Sequence, residues 1–208
     1  MAVRHTMVDV SLYNGEEYRT ALHRSVRDSL RALAQAGGGS LPLCVVSHGF
    51  GAILAIDVFS QLQQVELERQ RQQDRAPFGT LLERGLTLAH ISTIGCPLPL
   101  VLAAAGGACG ARGRNLDVPA PQVLERWPHL RGGRSNFYHR DDPMSFPLQP
   151  NLPSVTEDVE CHRRPAVGES MQTVYFHDVA TCIGMITHSL SCVWQDTNRS
   201  TTAVAADR

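Results

Sequence analysis

The stretch "LPLCVVSHGFGAILAIDVFSQL", Leu41 to Leu62, decides how the rest of the chain is read. It joins a short apolar run, Leu43 to Val46, to a turn of mostly small residues, Ser47-His48-Gly49-Phe50-Gly51. A helical pattern follows, with Ile53, Leu54, Ile56, Val58 and Phe59 as its apolar positions. An apolar run of that length without polar alternation suits a central parallel strand buried on both faces. Strand, tight turn and helix in succession is the building unit of a parallel α/β sheet. The helix then turns polar in "QQVELERQRQQDR", so its later turns are expected to protrude into solvent.

Working outward, Glu16 to Ala36 places Tyr18, Leu22, Val26, Leu30 and Leu33 at three- to four-residue steps. That is a helix period, and Gly37-Gly38-Gly39 ends it. "LTLAHISTI", Leu86 to Ile94, is rich in β-branched residues and closes on Gly95, which predicts a second strand. "SNFYHR" at Ser135–Arg140 is a third candidate strand and "MQTVYFHDV" at Met171–Val179 a fourth. Residues 97–133 are Ala-, Gly- and Pro-rich, with a short helix expected at Leu98–Ala105, and read as a lid-like excursion above the sheet. The final residues, 196–208, read as a disordered tail. The expectation is one α/β domain over residues 1–195, with three layers and a mostly parallel sheet.

Composition narrows the function classes. Of 208 residues, 43% are hydrophobic and 19% charged, with a net charge of -1, which leaves no electrostatic footprint for nucleic acid or anionic membrane. The longest apolar runs are far too short for a transmembrane span. Met1 is followed by Ala-Val-Arg-His-Thr, without the apolar core of a signal peptide, so a cytoplasmic location is expected. Six cysteines fall singly, which predicts buried thiols, and Cys161-His162 is not a zinc spacing. Neither a metal nor a cofactor is expected.

The turn excludes two phosphate-binding readings. A dinucleotide fingerprint would continue Gly49-x-Gly51 with a third glycine where Leu54 stands, and no lysine follows to make a P-loop. Ser47 and Gly51, two positions either side of Gly49, instead give the size pattern of a nucleophile elbow. "VVSHGFGAILAIDV" at Val45–Val58 is followed in order by "STIGCPLPL" at Ser92–Leu100, "NFYHRDDPMSFPL" at Asn136–Leu148 and "THSLSCVW" at Thr187–Trp194. Together with "MVDVSLY" at Met7–Tyr13 they resemble the α/β-hydrolase superfamily of serine esterases and lipase-like proteins, over roughly residues 7 to 195.

The resemblance implies roles by position. Gly49 occupies the nucleophile position, Asp142 is the acid and His188 the general base, with Asp141 the competing acid. Phe50 would offer its backbone amide to an oxyanion, and Ser47 and Gly51 are the small flanks. Such a site takes a small-molecule ester or acyl ligand. Two departures bear on activity. Glycine carries no attacking oxygen, and before Asp9 there is room for at most one short strand to supply a second oxyanion amide. The chain is therefore expected either to be shortened at its N-terminus, lacking the first strands, or to have lost that part of the site. Three functions follow: a serine ester or thioester hydrolase by ancestry, impaired at Gly49; a pseudoenzyme that binds an acyl or peptide ligand; and an α/β scaffold acting through the charged helix end at Glu66–Arg75.

Overall fold

Uncharged residues at Leu43–His48 form strand β1, and the turn at Gly49 launches the long helix α3, Phe50–Arg71. In the computed structural model, residues 2–72, 78–104, 116–150 and 152–206 are described, with the side chains of residues 2–7, 104, 186, 188 and 200–206 outside the description. Two helices precede β1: α1, Ala2–Tyr13, and α2, Glu16–Gly37. Glu16 and Glu17 sit in the first turn of α2, where the helix dipole favours negative charge. Gly38, at φ 87°, ends that helix.

After α3 come β2, Leu88–Ile94, α4, Leu98–Ala104, and α5, Pro121–Arg126. Then follow β3, Gly133–Tyr138, β4, Glu157–Glu160, α6, Met171–His177, and α7, Val179–Met185. A π-helical turn, Ile186–Ser191, joins α7 to α8, Cys192–Ala206. The four strands make one sheet in the order β1-β2-β3-β4, all parallel.

Helices lie on both faces of the sheet. On one, Ile91 and Val45 pack with Ala52, Ile53, Ala55 and Ile56 of α3 and with Tyr13, Leu98 and Val101. On the other, Ile94 and Phe137 pack with Val174 and Tyr175 of α6 and Met185 of α7, and Ala89 packs with Val193 of α8. All strands run the same way, so their C-terminal ends share one edge, and the turns after β1, β2 and β3 gather there. No helix among the described residues is long and apolar enough to cross a membrane.

Three expectations change. "MQTVYFHDV" is not a strand: Met171–His177 is helix α6, and Val174 and Tyr175 are its buried residues. Met171, Val174 and Tyr175 are spaced i, i+3, i+4, a helical period hidden by β-favouring residue types. The fourth strand is instead the acidic Glu157-Asp158-Val159-Glu160, which among the described residues pairs with β3 alone. Its charges mark an edge rather than a core strand.

Beyond residue 196 the chain continues as α8 to Ala206, and buried Asp196 binds the backbone and guanidinium of Arg131. Where the first residues left room for a short strand, the chain is helix α1. Of the lid-like segment, α4 forms as expected and residues 105–115 lie outside the described residues. Its later part runs under the opposite, N-terminal end of the strands. There the Ala120 amide donates to the Leu88 carbonyl at 2.7 Å, and Val123, Trp127 and Leu130 pack against Ala89.

Candidate functional site

Gly49 has φ 55° and ψ −127°, a backbone conformation that costs an ordinary residue about 1–3 kcal/mol. Its N–H donates to the Ile94 carbonyl at 2.8 Å, which fixes the turn against β2. A Cβ built on Gly49 would meet nothing within 4 Å, so the cost of a side chain there is conformational and not steric. The amides of Phe50 and Gly51 open α3, where intrahelical partners do not yet exist. The Phe50 ring packs edge-on against Tyr13 at 5.2 Å. Ser47 is buried and donates to the Ser92 carbonyl at 3.1 Å. A Cβ at Gly51 would also find open space, so close strand–helix contact does not explain glycine at that flank.

Asp142 lies four residues beyond β3 in a turn closed by its own N–H on the His139 carbonyl at 3.0 Å. Its carboxylate is buried and accepts from the Met144 N–H at 3.0 Å and the Tyr175 hydroxyl at 2.8 Å. Asp141, by contrast, is exposed, with its N–H turned to His139 Nδ1 at 3.0 Å. A Cβ on Gly95, the residue after β2, would come within 3.6 Å of Asp142 Oδ2 and 3.2 Å of the Tyr175 ring. Gly49, Gly95 and Asp142 therefore follow successive strands at one edge of the sheet. The same edge holds Tyr175, whose hydroxyl is kept protonated by burial foremost and by the neighbouring Asp142 charge.

His48 also belongs to this cluster. Its imidazole stands 5.3 Å from the Phe176 ring and 6.1 Å from the Tyr175 ring, centroid to centroid. Burial lowers its pKa from the usual 6.5, while the charge of Asp142 works the other way. The unfolded chain therefore takes up the His48 proton first as pH falls through 6.5, and stability is lost in the window just below. His48→Gln is expected to flatten the melting temperature against pH between about pH 7 and pH 5. An unaltered slope in thermal scans would remove His48 as its source.

The sequence pattern did not single out Tyr175, because its segment looked like a strand. His48 packs against Tyr175, the aromatic cover of Asp142. His188 lies in the π-helical turn, and its side chain falls outside the described residues. The adjacent Ser189 carbonyl is 3.9 Å from Cys44 Sγ, near the start of β1, about 13 Å along the strand from His48.

Among the described residues, Cys44, Cys96, Cys161, Cys182 and Cys192 are free thiols, with Cys96 and Cys161 buried, while Cys109 lies outside the description. Burial pushes the thiol of Cys96 up to about 12 and that of Cys44 to about 11. No group of three His, Cys, Asp or Glu among the described residues could hold a metal ion. The helix end proposed as a contact surface turns partly inward: Glu66 is buried and ion-paired with Arg69 and Arg84. Residues 73–77 lie outside the description. No family model matches the chain, and neither a curated protein nor a solved structure matches it.

Proposed function

We propose that this chain is an α/β-hydrolase-type protein, of the serine ester and thioester hydrolase kind, that keeps the elbow backbone and lacks its attacking oxygen. The observation that carries this reading is Gly49: a turn at φ 55° and ψ −127° between a parallel strand and a 22-residue helix, with open space where a side chain would stand. In a serine hydrolase the elbow hydroxyl attacks a carbonyl carbon, and the first helix amides meet the negative charge that develops on its oxygen. Here the amides of Phe50 and Gly51 remain, and the buried Asp142 closes the same sheet edge. With no covalent step available, only binding and oxyanion stabilisation are left. These supply about 10³–10⁴-fold over water in proteases stripped of their triads. The molecule bound is a small ester or acyl compound.

Restoring the oxygen tests the reading. Gly49→Ser should fold with a loss of about 1–3 kcal/mol, because only backbone strain opposes it. It should then be labelled by a fluorophosphonate probe, while the unmodified chain is not. Adding Asp142→Asn to that variant should suppress labelling. Folded Gly49→Ser protein that stays unlabelled would exclude the hydrolase reading.

A further inference from the structure

A cavity of about 270 Å³ opens at the N-terminal ends of the strands, opposite the edge that carries Gly49. Ser40 before β1, the chain entering β2, and α5 with the Trp127 that follows it form the wall. The Ala120 amide on the Leu88 carbonyl, at 2.7 Å, draws the start of α5 against the start of β2. Along β2 the distance from there to the Gly49 edge is about 20 Å.

Leu81, Leu86, Val123 and Trp127 make the apolar part of the wall. Arg126 steadies the indole: its guanidinium carbon lies 4.8 Å from the Trp127 ring centre, and Nη1 donates to Ser40 Oγ at 2.7 Å. Glu125 and Arg126 bring one charge of each sign, so the described lining carries no net charge. Two polar groups in the same wall have no hydrogen-bond partner among the described residues. Thr87 is 2% exposed and its hydroxyl is unmet, and the side-chain carbonyl oxygen of Gln122 is buried and unmet as well. Buried polar groups are nearly always hydrogen-bonded, because an unmet one loses its hydration without return. Two of them in one wall point to an occupant. Water alone fits poorly. The space would hold about nine molecules at ~30 Å³ each, and each needs about two to four polar partners that the apolar walls do not give.

We propose that this cavity binds a small neutral molecule with a cyclic apolar body and an amide or lactam edge. Gln122 Oε1, a carbonyl oxygen, can only accept, so it takes the amide N–H; the Thr87 hydroxyl donates to the amide carbonyl. The body lies against Leu86, Val123 and Trp127. The balanced charge of the lining disfavours an ion, and the volume takes one ring with short substituents and not a nucleotide. Parallel α/β sheets ordinarily bind ligands at the carboxyl ends of their strands, so this site is separate from the candidate site at Gly49. The inference does not depend on the hydrolytic reading.

Fluorine NMR of 4-fluorobenzamide with the full chain makes the test. Its resonance is expected to broaden and shift saturably, with a dissociation constant on the order of 1 mM. 4-Fluoroacetophenone keeps the ring and the carbonyl but has no N–H. It should bind at least about tenfold more weakly, because Gln122 Oε1 is left unmet. Gln122→Met and Thr87→Val should each weaken the amide at least about fivefold and melt no lower than the parent, since each removes a buried polar group that has no partner in the chain. Should one of them fail to fold, the other decides. No saturable change up to about 20 mM amide overturns the proposal, and variants that then melt lower than the parent assign the unmet groups to bound water. Equal binding of the two probes, or indifference to both substitutions, overturns it as well.

Discussion

Gly132→Ala is expected to be severely destabilising. A Cβ at this position would stand 1.9 Å from the Ala89 carbonyl oxygen, 3.0 Å from its carbon and 2.7 Å from Pro119 Cγ. The obstruction is backbone, so no side-chain rotation relieves it. Ala89 sits where the pairing of β1 with β2 skips a residue, Leu43 facing Leu88 and Cys44 facing His90. Gly132 passes just beside it as the chain enters β3. Making room means pulling the start of β3 off β2, which breaks the seat of every element after it, the Asp142 turn included. A cost above about 4 kcal/mol is expected, against a total stability of about 5–15 kcal/mol for an ordinary domain. Circular dichroism and urea titration of Gly132→Ala beside Gly168→Ala make the measurement. Gly168 has a positive φ of 82° but open space around its Cβ, so it should lose only about 1 kcal/mol from backbone strain. Comparable midpoints for the two variants would contradict the close approach.

The sequence pattern led to β1, α2, α3, β2 and β3 because each has an apolar period of its own. Leu43–His48 has no alternation to misread, and Leu22, Val26 and Leu30 keep strict helical steps. What it hid lies where tertiary contact outweighs local preference. Glu157–Glu160 has no strand pattern, and is a strand because β3 pairs with it and its Asp158 gathers donors from the preceding loop. Met171–His177 is rich in strand-favouring types, yet buries Val174 and Tyr175 as one helix face. At the candidate site, the turn at Gly49 could be read from its small flanks, Ser47 and Gly51, and its positive φ agrees with that, while Asp142 was a candidate through an ordered motif. Tyr175 was not: a hydroxyl arriving from 33 residues away leaves no trace in local spacing. That β1 stands at the end of the strand order among the described residues was equally invisible, since a neutral apolar strand looks the same whether it has one neighbour or two.

Asn136→Ala is expected to cost about 3 kcal/mol and to release the loop that carries Asp142. The side chain is fully buried within β3 and spends both donors and one acceptor site on that loop and its surroundings. Its Nδ2 donates to the Phe146 carbonyl at 3.0 Å and to Asp158 Oδ1 at 2.7 Å, and its Oδ1 accepts from the Thr93 hydroxyl at 2.9 Å. Asp158 in turn accepts from the N–H groups of Leu148 and Gln149, each at 2.9 Å. The network thus ties both the middle and the end of the loop after β3 to the sheet, and fixes where the Asp142 turn can stand. Alanine would leave the Phe146 carbonyl and one bond of Asp158 unmet and the Thr93 hydroxyl with the longer contact to the Ser135 carbonyl at 3.4 Å, at about 1 kcal/mol each. Asn136→Asp would keep the volume but lose both donors and set a second carboxylate against Asp158. It should therefore do no better than alanine at neutral pH. Hydrogen exchange resolves the loop from the whole: amides of Met144, Leu148 and Gln149 should lose protection in Asn136→Ala by more than the global unfolding energy changes. Unchanged protection there, with stability within about 1 kcal/mol of the parent, would mean that the loop holds its shape without Asn136 and that the Asp142 turn is positioned by Tyr175 alone.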